Sequence, residues 1–302
     1  LAEAHRLEPH LTDRAEAVDQ DRDAAVDGVR LCRQHVLSAK HYGGRMRNYT
    51  EVIAIEQQNG QVVAVKVRNT LTGEIDTIHC DFVINAAGSW VGQVAELAGI
   101  KINVVPDRGT LIAFNHRFTD RIMNRLRPPA NADIFVPHGS VTLLGTTSSP
   151  AERPDDFTPT TAEVLALIED GKQLFEELPQ YRLLRAYTGT RPLYCADPTA
   201  ASREISRNFV ILDHAGEGLN GFVSIVGGKL TTYRLMAEKI TDVICTKLAV
   251  QAACRTAEEP MVADIDPALM QQARQFFPAS GVELAASRLG PDFAETVERI
   301  KN

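Results

Sequence analysis

The sequence predicts a mixed α/β (α+β) chain of about two domains, and three observations carry that prediction. An apolar, mostly β-branched run at 222–226 ends on Gly227-Gly228 and passes directly into a pattern of helical period. Residues 50–80 alternate as short strands around turn residues, which is the pattern of an antiparallel meander. Residues 101–208 carry extended segments punctuated by prolines, which suits a second, antiparallel sheet with long loops. The length of 302 residues, with 44% hydrophobic and 24% charged residues, supplies enough apolar material for such cores.

Each element has a local reason. Residues 27–42 read as a helix with Val29, Cys32, Val36 and Ala39 on one face and Gly43-Gly44 as its stop. Strands at 52–55 and 62–67 flank Asn59-Gly60, a two-residue hairpin signal of type I′. A third strand at 74–80 follows the turn at 69–73 and leads to a buried run at 82–85. Extended segments at 103–105, 110–114, 134–136 and 141–145 are broken by Pro106, Pro128-Pro129 and Pro137. Thr160 and Glu163 form a capping box that opens a helix carrying Val164, Leu167, Ile168 and Leu174, with Pro179 ending it. Strands at 209–212 and 222–226 follow. Leu230, Tyr233, Ala237, Ile240, Ile244 and Leu248 then share a helix face. Residues 251–302 hold helical patterns at 267–277 and 282–289 to which the sequence assigns no role.

Charge and cysteine content exclude several classes. A net charge of −7 without a basic stripe argues against nucleic acid. No window approaches the ~18 apolar residues of a membrane span. The five cysteines, Cys32, Cys80, Cys195, Cys245 and Cys254, are scattered, with no C-x-x-C. They support neither a zinc site nor an iron–sulfur cluster, so no metal is expected, and they point to reduced thiols in a cytoplasmic setting.

The strand, glycine pair and helix at 221–248 form a geometry in which free backbone N–H groups and a positive dipole end approach an anionic or polar ligand. Lys229 falls in the first turn, where a cation opposes the dipole. It is either a ligand contact or a surface lysine on an ordinary strand-to-helix turn. Gly216-Glu-Gly-Leu-Asn-Gly221 matches G-x-G-x-x-G but leads into a strand, where a dinucleotide fingerprint opens a helix. It reads as a loop.

Four segments, in order and spacing, carry a resemblance that runs from about residue 1 to about 250. They are Gly227-Gly-Lys-Leu-Thr-Thr-Tyr-Arg234, Asp81-Phe-Val-Ile-Asn-Ala-Ala-Gly-Ser-Trp90, Tyr187-Thr-Gly-Thr-Arg-Pro-Leu193 and Ile205-Ser-Arg-Asn-Phe209. Together they resemble the FAD-dependent glycerol-3-phosphate dehydrogenases. Val-Arg-Asn-Thr-Leu-Thr-Gly-Glu at 67–74 and Leu-Asp-His at 212–214 are most similar to the A-type subunit of the anaerobic branch.

The resemblance implies an incomplete FAD-binding Rossmann-like domain with a β-meander, plus an antiparallel-sheet substrate domain. The implied boundaries are 1–100 and 209–250 for the two parts of the FAD-binding domain, 101–208 for the substrate-binding domain and 251–302 for a helical segment. The family opens on a strand and G-x-G-x-x-G, which is not found near residue 1, so an N-terminally truncated piece is expected. Such a piece is expected to bind FAD weakly or not at all and to be inactive alone.

For activity, the resemblance implies a flavoprotein oxidoreductase of glycerol metabolism. It would oxidise sn-glycerol 3-phosphate to dihydroxyacetone phosphate by hydride transfer to FAD. Electrons would pass to quinone through partner subunits or the membrane surface in anaerobic respiration, with peripheral association at the inner face of the cell membrane. The alternatives are a related flavin-dependent amino- or hydroxy-acid oxidase, in which Arg191 grips a carboxylate, and a non-catalytic fragment that docks to partners.

For residues, the resemblance implies Lys229 and Arg191 as catalytic and Arg191 and Arg207 as substrate-binding, with Arg203 competing for the role of Arg207. A permanently charged planar fork suits a phosphate dianion, and Lys229 would stabilise negative charge building on the flavin. Val52, Ala86, Gly88, Trp90, Gly227, Gly228, Lys229, Leu230 and Thr231 would contact FAD. Trp90, the single tryptophan, fits a core position as well as a cofactor contact. One departure is visible. Arg108-Gly-Thr-Leu111 has leucine where aerobic relatives carry a histidine, so the base that alcohol oxidation requires falls to His116, His138, His214 or a residue outside this sequence.

Overall fold

The computed structural model describes residues 1–127, 134–195, 208–261, 265–290 and 292–301. Its elements, in chain order, begin with α1 (Ala2–Leu7), α2 (Gly28–His41), β1 (Thr50–Gln58), β2 (Gln61–Asn69), β3 (Ile75–His79) and β4 (Val83–Asn85). Next come α3 (Val91–Glu96), β5 (Val104–Phe114), β6 (Met123–Asn124), β7 (Ile134–His138), β8 (Val141–Gly145) and β9 (Ser149–Pro150). The chain continues through α4 (Thr161–Gly171), β10 (Leu183–Tyr194), β11 (Phe209–Asp213), β12 (Phe222–Gly227) and α5 (Tyr233–Lys247), then α6 (Pro267–Ala273), α7 (Ala279–Leu289) and α8 (Asp292–Lys301). The mixed class is as the sequence predicts. Contacts divide the chain into one unit of 1–25 and 49–248 and another of 26–48 and 249–302.

The larger unit holds three sheets. β1, β2 and β3 form the antiparallel meander, closed by Asn59 and Gly60 at φ 52° and 73°, as a type I′ turn requires. In the second sheet β12 lies between β11, antiparallel, and β4, parallel. The third runs β10-β5-β8-β7-β6, with β9 also on β5.

β12 is buried on both faces, which its apolar run, interrupted only by Ser224, anticipates. Phe222 and Val226 pack with Ile55, Val62, Val91 and Ala95, and Val223 and Ile225 pack with Ile240 of α5. Its neighbour β4 differs from expectation. The run 82–85 is not wholly buried, because β4 is an edge strand with Asn85 inward and Ile84 48% exposed. The third sheet has its own core of Ile112, Phe114, Phe118, Phe135, Leu144, Leu167, Phe175 and Leu178.

Two prolines do not break this sheet. β5 runs unbroken through Pro106, and Pro106 stands directly opposite Pro192 of β10. The two missing N–H donors therefore share one rung, and the ladder is weakened only there. Pro137 likewise lies within β7. β10 is a strand the sequence did not reveal, since Gly189 and Pro192 obscure its alternation.

The N-terminal segment also joins the third sheet's core rather than the first part of a cofactor domain. Thr12 N–H donates to Leu174 O at 2.8 Å, and the Thr119 hydroxyl donates to the buried Glu8 at 2.5 Å.

Helix α4 opens on the expected capping box. Glu163 N–H donates to the Thr160 hydroxyl, and the Glu163 carboxylate takes the Thr160 N–H at 2.8 Å. The helix ends at Gly171, earlier than expected, though Leu174 packs on the same core. The same carboxylate accepts from Arg108 Nε and Nη2, at 3.2 and 3.1 Å, and from the Ser149 hydroxyl at 3.0 Å. Burial alone would push the Glu163 pKa up. The Thr160 N–H, the Thr160 and Ser149 hydroxyls and the Arg108 charge outweigh it and hold the pKa below the usual carboxylate value.

A depressed folded pKa means a contribution present above the unfolded value and lost as pH falls through the folded one. The thermal midpoint of Glu163→Gln should therefore lie below wild type at pH 7, with the gap closing as pH drops below about 4.5. A gap that is constant with pH would remove Glu163 as the titrating group.

In the smaller unit, Ala273, Val282, Ala286, Phe293 and Val297 of α6, α7 and α8 form a core. Residues 26–48, expected with the first 100, cluster here. The expected apolar face of α2 is not buried: Val29, Cys32 and Val36 are exposed, and polar contacts hold the segment, among them the Arg33–Asp292 ion pair.

Candidate active site

β4 and β12 are adjacent and parallel, with Asn85 opposite Ser224, so the carboxyl ends of both strands run out toward the same edge of the sheet and β12 continues three residues further, to Gly227. Ligands of open α/β sheets sit outside such carboxyl ends. Two glycine turns follow at this edge. Gly88 has φ 56°, and Gly227 and Gly228 have φ 81° and 83°. Ala86, Trp90, Lys229, Leu230 and Thr231 are all exposed on these turns, whereas Val52 is half-buried in β1 against the meander core.

A buried polar network fixes the strand ends. Asn85 Nδ2 donates to Val91 O at 2.8 Å and to Ser224 Oγ at 3.3 Å. Ser224 Oγ is 2.9 Å from His214 Nε2, and His214 Nδ1 is 2.9 Å from Glu217. His214 is 1% exposed with both ring nitrogens engaged, which makes it a structural residue.

The run after β12 differs from the expected helix start. Lys229 is extended, at φ −128° and ψ 158°, a 3₁₀ turn covers Leu230–Thr232, and α5 begins only at Tyr233. The consecutive left-handed glycines turn the chain before it can enter the helix. Leu230 is consequently exposed and off the buried face that Ile240 and Ile244 provide, and Leu248, just past the end of α5, is exposed as well. Among the described residues, no carboxylate pairs with the Lys229 ammonium. Trp90 is 39% exposed, its ring 6.1 Å from that of Phe157, so it is not the core residue that its type suggests.

The Gly216–Gly221 segment opens no helix. A 3₁₀ turn at His214–Glu217 ends on Gly218 at φ 89° and leads into β12. Its backbone pairs with the meander hairpin: Asn220 N–H donates to Gly60 O at 2.7 Å and Val62 N–H to Asn220 O at 3.0 Å.

The Ser89 hydroxyl donates to Thr190 O at 2.6 Å, joining the Gly88–Trp90 turn to β10 one residue before Arg191. β10 also packs against β12. Three of the four sequence segments thus converge. The fourth does so only through Asn208 and Phe209, since Arg203 and Arg207 lie outside the described residues. Phe209 stands opposite Gly227 in the β11–β12 ladder.

Arg191 is 29% exposed, and its Nη1 donates to Asp107 Oδ2 at 2.6 Å. Its Nη2 donates to the Thr146 hydroxyl and, at 3.4 Å, to Thr147 O. Tyr187, on the same strand, has its phenol pKa pushed up by burial, with Arg185 opposing. It stays a neutral hydroxyl.

Asp107, Gly109, Thr146, Thr147 and Ser148 were not foreseen. The hydroxyl run Thr146-Thr-Ser-Ser149 beside a strand-ending glycine was the available signal. His116 and His138 fail as bases at this site. Both lie near the Phe114 end of β5, seven residues and roughly 23 Å along the strand from Asp107.

The FAD dependent oxidoreductase family profile matches residues 1–234. The chain belongs to that family. It is 40% identical over 275 residues to the A1 subunit of the anaerobic glycerol-3-phosphate dehydrogenase of Haloferax volcanii, covering 86% of this chain and 46% of that protein. Against the A-type subunit of the same enzyme from Escherichia coli K12 the identity is 39% over 269 residues, 88% of this chain and 50% of the relative. The chain thus spans about half the length of these relatives. Its fold matches the glycerol-3-phosphate dehydrogenase of Bacillus halodurans complexed with FAD, with a TM-score of 0.73 at 22% identity over 98% of this chain and 61% of that one. The positive-φ turn at Gly88, with open space where a Cβ would stand, and the exposed residues 229–231 after Gly227-Gly228 fit the cofactor of the family. No helix among the described residues is long and apolar enough to cross a membrane.

Proposed function

We propose that this chain is the substrate- and flavin-contacting part of an FAD-dependent dehydrogenase that oxidises sn-glycerol 3-phosphate to dihydroxyacetone phosphate. Electrons pass on to quinone through partner subunits at the cytoplasmic face of the membrane. The observation that carries the reading is the Ser89–Thr190 hydrogen bond, which ties β10, one residue before Arg191, to the Gly88–Trp90 turn. The chain's 40% identity to part of an anaerobic glycerol-3-phosphate dehydrogenase supports the substrate class.

FAD, when bound, supplies the hydride acceptor. Ala86, Gly88 and Trp90 of one turn, Gly227, Gly228, Leu230 and Thr231 of the other, and Val52 of the meander would hold it. Arg191, with Arg207, binds the phosphate through its permanent positive charge and orients the carbinol carbon. Lys229 brings a positive charge to the side where negative charge develops.

The test uses the FAD-loaded full-length protein with a dye acceptor. Glycerol 3-phosphate should be turned over, and glycerol, amino acids and hydroxy acids should not. Turnover of an amino or hydroxy acid in its place would overturn the reading. Lys229→Ala should leave the thermal midpoint unchanged, because its ammonium is exposed and pairs with no carboxylate, and lower kcat about tenfold. An unchanged kcat would leave Lys229 as a surface lysine.

A further inference from the structure

We propose that Asp107 is a positioning residue that holds the Arg191 guanidinium across Gly109, with the Nε edge left for an anionic substrate group. The inference rests on the reading of Arg191 given above and goes beyond it, because it names what makes that arginine a fixed receptor.

Asp107 is 1% exposed and lies directly opposite Arg191 in the β5–β10 ladder. Both of its carboxylate oxygens are engaged. Oδ2 accepts from Arg191 Nη1 at 2.6 Å, and Oδ1 accepts from the Ser148 hydroxyl at 2.7 Å. Held at both oxygens, the carboxylate has one orientation. Thr146 and Thr147 take the other amino group of Arg191.

The strand beneath makes room. A Cβ on Gly109 would stand 2.7 Å from Arg191 Cζ, so the guanidinium fills the space where a side chain would be. Both terminal amino groups donate into this cradle, while Nε–H has no acceptor among the described residues. Fixing the arginine before binding lowers the ordering that the substrate must impose. A buried carboxylate is in turn tolerated because it is paired.

The experiment compares wild type, Asp107→Asn, Arg191→Ala and the double variant, all as FAD-loaded protein. KM and kcat are read for glycerol 3-phosphate and, separately, Kd for inorganic phosphate by calorimetry. Asp107→Asn, which is isosteric, should raise KM about tenfold with kcat within about twofold and flavin content unchanged, and should weaken phosphate in parallel. Added to Arg191→Ala it should change neither constant, since it acts through that side chain.

An unchanged or lower KM and phosphate Kd in Asp107→Asn, or a further loss on the Arg191→Ala background, overturns the proposal. Should Asp107→Asn fail to fold, Ser148→Ala removes the second hold on the carboxylate and should raise both constants by a smaller factor. No change in that variant likewise overturns the proposal. The phosphate arm needs no turnover. A wild type that ignores glycerol 3-phosphate sinks the substrate reading while the Asp107 effect is still measured.

Discussion

Arg191→Ala raises KM for glycerol 3-phosphate roughly tenfold to a hundredfold. A charge-assisted hydrogen bond contributes ~1.5–3 kcal/mol, and each 1.4 kcal/mol is a factor of about ten. The structure adds a second effect that the sequence did not foresee. Removing the guanidinium strands Asp107, 1% exposed, without its counter-charge. Breaking a buried pair in this way costs about 3–5 kcal/mol, so the thermal midpoint falls as well. Arg191→Lys restores the charge without the fork and recovers stability better than it recovers KM. Steady-state kinetics and a melting curve on the same samples decide the matter. A KM that does not move in the alanine variant leaves Arg191 as structure alone.

Gly227→Val is expected to have the largest effect on the fold. At φ 81° a β-branched residue is strained, and its Cβ would lie 2.6 Å from Asn208 O, which is backbone and cannot swing aside. At Gly228, with φ 83°, the clash is with Met236 Sδ at 2.5 Å, a flexible side chain that can yield. Gly227→Val should therefore destabilise by several kcal/mol and strip the flavin, and Gly228→Val less so. Gly218→Ala also meets a positive φ, 89°, but has open space around it. It should cost about 1–2 kcal/mol and keep its FAD. The flavin-to-protein absorbance ratio after gel filtration, beside the melting temperature, separates the three. Flavin lost from Gly218→Ala and kept in Gly227→Val would put the cofactor at the wrong loop.

These glycines mark the boundary of what could be read in advance. The sequence located both turns, since strand, glycine and apolar period are local properties. It did not reveal that Gly227 and Gly228 are demanded by the chain's own packing against Asn208 and Met236. Flavin loss on enlarging them is therefore weak evidence of contact, and Lys229, exposed and free of any carboxylate partner among the described residues, is the sharper probe.

What the sequence by itself determined was whatever depends on neighbours a few residues away. The type I′ turn at Asn59-Gly60, the Thr160–Glu163 capping box and the buried run of β12 follow from positive φ, side-chain-to-backbone bonding and apolar continuity, and all are present. The segments that contact one another were legible as strings as well. Tertiary structure alone decided how they are joined. Arg191 meets Asp107 because β5 and β10 pair in one register, 84 residues apart. Pro106 is absorbed because Pro192 stands opposite, and His116 and His138 are set at the far end of their sheet. Register and partnership are set by burial and hydrogen bonding between distant strands, and no window of sequence contains both partners.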